Sequence, residues 1–137
     1  MLKNTWIRST AKSIKLYSFK RSWRKTHTDT DTIPMCKFNS GLVSVGTGTY
    51  GELNITTFSD KSKLLIGNYV SIAQNVSFLL DVEHYTNHVS TYPYKVKILK
   101  TKTSESFSKG DILIDDDVWI GYGATIFQEF TLGKAQL

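Results

Sequence analysis

From Ile114 onward the apolar positions recur every six residues: Ile114, Ile120, Ile126 and Leu132. Four places after each come Val118, Ala124, Phe130 and Gln136, and Gly121 and Gly133 follow the second and fourth aliphatic residues. A helix repeats near 3.6 residues and a strand alternates at two, so neither produces this pattern. A six-residue period is the mark of a parallel β-helix, in which each hexad supplies one short strand and a corner. Three hexads then make a triangular coil, and stacked coils align their inward residues into columns. The same register runs from Ile66 to Ser71 and from Ile72 to Ser77, with Phe78 opening a third hexad. Val45 and Gly46 hold the first two places of an earlier hexad, and Leu53, Ile55 and Phe58 continue the apolar positions. The coils are therefore expected to begin at about Val45. The step from Ile66 to Ile114 is a multiple of six, but an insertion interrupts it and the sequence alone gives that no weight.

The rest of the chain departs from the period. Residues 1 to about 26 read as a helix with apolar Trp6, Ile14, Tyr17, Phe19 and Trp23 set among lysines. His27 to Pro34 reads as a polar linker whose threonines and aspartates favour turns over continued helix. Residues from about 80 to 112 form an insertion, in which Lys95 to Ile98 alternates and Lys100 to Lys109 is charged and rich in serine. Long irregular insertions in a repetitive scaffold commonly carry function. The expected organisation is a basic N-terminal helix and linker over 1–34, then an all-β unit over 35–137.

Composition narrows this only in places. The chain has 137 residues, enough for one domain, and no apolar run long enough to span a membrane. Its single cysteine, Cys36, excludes an internal disulfide, suits a reducing compartment and reads as a small hydrophobe; a cytoplasmic location is expected. Lys3, Arg8, Lys12, Lys15, Lys20, Arg21, Arg24 and Lys25 stand before residue 26 with no acid among them, and the remainder is slightly acidic. Such a helix can lie against the body with its basic face in water, rest on an anionic membrane surface or meet phosphates. It is not a signal peptide, since no apolar core or small-residue cleavage site follows the charges. Asp29 and Asp31 lack the spacing of a calcium loop. His84 and His88 lack a third ligand of defined spacing, so no metal is expected.

The residues that carry a resemblance are Val45 to Gly51, Ile66 to Ala73, Glu83-His84, Ser90-Thr91-Tyr92-Pro93-Tyr94, Gly110 to Ile112 and Asp117 to Gly121. Over about residues 20 to 132 they resemble the hexapeptide-repeat acyltransferases. The similar branch is the xenobiotic type, which includes streptogramin and chloramphenicol acetyltransferases and O-antigen and capsule O-acetyltransferases. The specific element is a histidine followed six residues later by Ser-Thr-aromatic-Pro-aromatic. The resemblance implies a left-handed parallel β-helix, a homotrimer with the active site between subunits, and acetyl-CoA as donor. By the motif, His84 is its general base. Tyr50 matches a tyrosine near the acceptor, and Trp119, Gly121, Gly123 and Ala124 match the segment along which the pantetheine arm lies. A neutral imidazole can take the proton of an attacking hydroxyl as the C–O bond forms. Two substrates held in one cleft supply the rest, with no acyl-enzyme required. The expected acceptor is a saccharide hydroxyl, with an antibiotic as the alternative within the class and a non-catalytic β-helical fragment as the alternative outside it. Neither metal nor nucleic acid is implied.

Asn87 stands where this family has an acidic or polar residue three places after the histidine. Glu129, Phe130 and Gln136 break the repeat near the end of the chain, where the family continues for several more coils. The chain is therefore expected to be a shortened member whose stack ends early.

Overall fold

The computed structural model describes residues 3–82, 90–103, 105, 108–128 and 131–133, and for residues 3–9 the backbone path alone. The first element is a helix, α1 (Lys3–Thr26), as the sequence predicts. The segment expected to be a linker instead contains a strand, β1 (Asp31–Pro34), paired in parallel with the beginning of β3 (Tyr50–Thr57). Its alternation explains the difference: Thr32 and Pro34 turn inward while Asp31 and Ile33 face out. The buried hydroxyl of Thr32 is satisfied by the indole Nε1 of Trp23 at 3.1 Å and by Thr30 Oγ1 at 3.1 Å. Thr-rich sequence can therefore form an inner strand here without an orphaned polar group.

From Val43 the chain runs as short parallel strands. These are β2 (Val43–Val45), β3, β4 (Leu64–Ile66), β5 (Ser71–Ile72), β6 (Ser77–Leu80), β7 (Ile112–Ile114), β8 (Trp119–Ile120), β9 (Thr125–Phe127) and β10 (Thr131–Leu132). One four-stranded sheet has the order β10-β7-β4-β2. The other strands form a six-stranded sheet bent at β3, whose first half pairs with β1 and β5 and whose second half pairs with β6. β8 extends the first wing and β9 the second. The chain thus visits three parallel stacks in fixed rotation: β4, β5, β6, then β7, β8, β9. Positions paired between these two passes stand 48 residues apart, as in Ile66↔Ile114 and Ile72↔Ile120. The insertion preserves the register of six, a constraint to which the sequence alone gave no weight.

The inward columns are those the period predicts. Leu64 lies on Ile112, Ile66 on Ile114, Ile72 on Ile120, and Phe78 on Ile126, all buried. Leu53 and Ile55 join this core, whereas Phe58, expected to continue it, is exposed because β3 has ended at Thr57. Phe130 and Gln136 lie outside the described residues. Trp23 is in the same core cluster, packed edge-on to Phe38 with centroids 5.4 Å apart and stacked on His27 at 3.6 Å. Of the remaining helix residues expected to give apolar cover, Phe19 packs against the core, while Ile14 and Tyr17 point away from it.

Corners are set by left-handed backbone and by polar ladders. Gly48, Tyr69 and Asp117 occupy successive levels of one corner at φ of 73°, 57° and 61°. Asn75 and Gly123 repeat this at the next, at 59° and 71°. Asn68 accepts a hydrogen bond from Thr47 N at 2.9 Å, and Asp116 accepts one from Asn68 N at 2.7 Å, so each level caps the one before. Within the insertion, Tyr94–Lys97 forms a single helical turn, α2, where the sequence shows alternation.

Candidate functional site

Two of the expected site residues fall on one outward column. Tyr50 pairs with Ser71, and Ser71 with Trp119. Adjacent strands lie about 4.8 Å apart, so Tyr50 and Trp119 stand about 10 Å apart along the stack, with the small Ser71 between them. Both rings face solvent, Tyr50 at 52% and Trp119 at 77% exposure. Neither is a core residue, which removes packing as the reason for an aromatic at either place. Tyr69 and Tyr122 are also exposed beside this wing, and Tyr122 Oη is held by Asn75 Nδ2 at 2.6 Å. Neither tyrosine stands out as a site residue from the period of six. Their signal is visible in retrospect: each is an aromatic at a corner position, where the core makes no demand for one.

Gly121, Gly123 and Ala124 follow Trp119 at the next corner. Ala124 packs against the core, and Gly123 needs its positive φ of 71°. Gly121 holds the same hexad place as Gly46 and Gly67 but at the following corner, where it stacks on Ala73, and its surroundings differ. A Cβ built on Gly67 would come within 2.6 Å of Asp116 N, and one on Gly46 within 2.5 Å of the Gly67 carbonyl carbon, whereas one on Gly121 meets nothing within 4 Å. The open space arises because β8 is the edge strand of its wing. Among the described residues, nothing lies within 4 Å of a Cβ added at Gly121 or Gly123.

His84, the expected general base, lies outside the described residues, as do Asn87 and His88. What is described is the root from which that segment leaves. β6 ends at Leu80, and Asp81 is fully buried at φ 55°. Its carboxylate accepts from Ser59 Oγ at 2.6 Å, from Ser62 Oγ at 2.6 Å and from Gln128 Nε2 at 3.0 Å, with the Ser62 backbone N–H at 3.4 Å. Gln128 Nε2 also reaches the Gly110 carbonyl at 2.9 Å, and Ser108 Oγ contacts Ser62 Oγ. The departing and returning stems of the insertion are thus tied to each other, to the turn after β3 and to the end of β9. Burial raises the Asp81 pKa, but the hydrogen bonds from Ser59, Ser62 and Gln128 outweigh it and hold the carboxyl at about 2. In the sequence Asp81 falls within the insertion and Ser59 to Lys63 reads as a polar turn. Nothing in the period marks them as partners.

Other candidate chemistry is quiet. Cys36 is half-buried, with Sγ 3.1 Å from the Ile55 carbonyl, in keeping with a packed small side chain. Among the described residues no group of three or more His, Cys, Asp or Glu side chains could hold a metal ion. No helix of the described residues is long and apolar enough to cross a membrane.

The chain is 35% identical over 82 residues to a protein of Lysinibacillus sphaericus described as "Probable macrolide acetyltransferase", a match that takes in 55% of this chain. It spans 45% of the length of that relative. No family model matches the chain, and no solved structure matches it.

Proposed function

We propose that the chain is a hexapeptide-repeat acyltransferase that moves acetyl from acetyl-CoA to a hydroxyl of an antibiotic-like acceptor. The 82-residue similarity to a macrolide acetyltransferase carries this reading. It favours a macrolide-like acceptor over the saccharide expected from the sequence. The three-way rotation of parallel strands, with a period of six, supports closure of the coils into a left-handed β-helix. The outward aromatics and the open edge at Gly121 support a substrate cleft on the wing that carries Tyr50 and Trp119.

In this mechanism the acceptor oxygen attacks the thioester carbonyl while His84 removes its proton. The tetrahedral intermediate then collapses, the C–S bond breaks, and the CoA sulfur departs and takes up a proton. Tyr50 borders the acceptor, while Trp119, Gly121, Gly123 and Ala124 border the donor arm. By the resemblance, a neighbouring copy of the chain in a homotrimer completes the cleft. Base catalysis by a positioned imidazole contributes roughly 10²–10⁴-fold.

The test is incubation of the purified chain with acetyl-CoA and a panel of macrolides and sugars, reading free thiol release and acceptor mass. A macrolide gaining one acetyl group, with that gain lost in His84→Ala, is the expected result. Acetylation of sugars alone would restore the saccharide acceptor. Thiol release unchanged in His84→Ala would remove the histidine from the mechanism, and no transfer to any acceptor would overturn the enzyme reading.

A further inference from the structure

We propose that α1 docks in the plane of an anionic lipid bilayer, and the observations behind this are independent of the acyltransferase reading. Among the described residues, the helix meets the core through Trp23 and Phe19 in its second half. Its side chains from Thr10 to Lys15 are all exposed, so its earlier turns overhang the strand stack. A helical segment that buries no face against its own protein gains little from propensity alone and is completed by an outside surface.

Two properties select the chemistry of that surface. The first is charge. α1 contains no acid, and Lys12, Lys15, Lys20, Arg21, Arg24 and Lys25 lie along it. Among the described residues its one salt bridge joins Arg24 to Asp31 at 3.4 Å, and Lys12, Lys15, Arg21 and Lys25 are exposed. The second is an apolar stripe on the side away from the body. Ile14 and Tyr17 are each 69% exposed, three residues apart and hence on one helical face, which Arg21 continues one turn after Tyr17. On the other side of the same turns, a trough of about 620 Å³ runs between α1 and residues 35–37, bordered by Lys12, Lys15 and Lys37 over Leu16 and Met35. Its cationic rim and apolar floor repeat the combination seen on the outward face.

Exposed aliphatic and tyrosyl side chains set among lysines match the headgroup boundary of an anionic membrane. The rings and aliphatic groups enter the acyl margin, and the ammonium groups stay with the phosphates. A nucleic acid would use the same cations but would give Ile14 no apolar environment. The apolar stripe therefore decides for lipid.

Co-sedimentation of the full 137-residue chain with vesicles tests this, using phosphatidylcholine alone and phosphatidylcholine with phosphatidylglycerol. Binding to the anionic vesicles alone is expected, weakening as salt is raised because surface charges are screened. Lys12→Glu/Lys15→Glu should reduce binding by roughly tenfold or more, since each basic residue near an anionic surface counts about fivefold. Ile14→Asp should reduce it even at low salt. Both variants alter exposed side chains, so an unchanged far-ultraviolet spectrum and melting temperature show that the fold is intact. Absence of vesicle binding, equal binding by Ile14→Asp, or binding to a short RNA duplex but not to vesicles would each overturn the proposal.

Discussion

The strand columns and the root of the insertion hold the same stack together by opposite means. Along the columns, Leu64, Phe78, Ile112 and Ile126 are buried among apolar neighbours and stabilise by area removed from water. At the root, Asp81, Ser62 and Gln128 are buried just as deeply, but every polar side-chain atom buried there has a hydrogen-bond partner. The columns tolerate repetition because apolar contact has no direction. The root is a single arrangement of directional hydrogen bonds that converge on Asp81 and Gln128, so it fixes where one segment leaves and returns. The periodic part of the molecule therefore supplies stability, and an aperiodic polar cluster supplies position.

The largest effect should come from the columns. Phe78 lies between Ile55 and Ile126 with no exposed surface. Phe78→Ala is expected to cost about 3–5 kcal/mol, since it leaves a cavity that paired strands on both sides prevent from collapsing. Denaturant titration would read this as a lower midpoint at unchanged slope. A loss below about 1 kcal/mol would mean that the inner columns are not closely packed.

Asp81→Ala should cost roughly 2–3 kcal/mol, because it removes the acceptor shared by Ser59 Oγ, the buried Ser62 Oγ and Gln128 Nε2. The wild-type carboxyl also carries a pH signature. Its pKa lies at about 2 in the folded chain against an ordinary 3.8, so folding favours the ionised form. Its contribution is complete above the ordinary value and is lost as pH falls from about 4 through about 2. The linkage amounts to on the order of 2 kcal/mol. Asp81→Asn keeps the shape and removes the charge. The gap in melting temperature between wild type and Asp81→Asn should be constant above pH 5 and close over that acid window. A gap independent of pH would deny the carboxylate its ionised role.

The difference between the two regions also explains what could be read in advance. The columns repeat, so Ile66, Ile72, Ile114, Ile120 and Ile126 announce their places from spacing alone. α1 announces itself by length and by the absence of breakers. β1 does not, because buried threonines look like linker until the indole of Trp23 is seen donating to Thr32. The Asp81 cluster gathers residues separated by up to 66 positions, brought together by the stacking of successive passes, which no local pattern records. The shared column of Tyr50 and Trp119 is a consequence of register, which follows from the period once the strands are paired. The resemblance alone names His84.

The smallest effect on stability is expected at Gly121, and the contrast with Gly67 separates fold from site. Both glycines follow an inward isoleucine, Ile120 or Ile66, in the same hexad place. At Gly67 an added methyl group would press on Asp116 N at 2.6 Å and the Asp115 carbonyl carbon at 2.7 Å, so the two levels must separate. Gly67→Ala is accordingly expected to cost about 1–3 kcal/mol, as overpacking does elsewhere. At Gly121 nothing lies within 4 Å and no positive φ is needed, so Gly121→Ala should leave stability within about 0.5 kcal/mol. If the pantetheine arm passes there, the same methyl group occupies its path, and acetyl-CoA affinity should fall by roughly tenfold while the melting temperature holds. Calorimetric titration of Gly121→Ala beside a thermal melt reads both quantities on one sample. A stable variant with unchanged affinity would remove Gly121 from the donor site, leaving that glycine to the repeat alone.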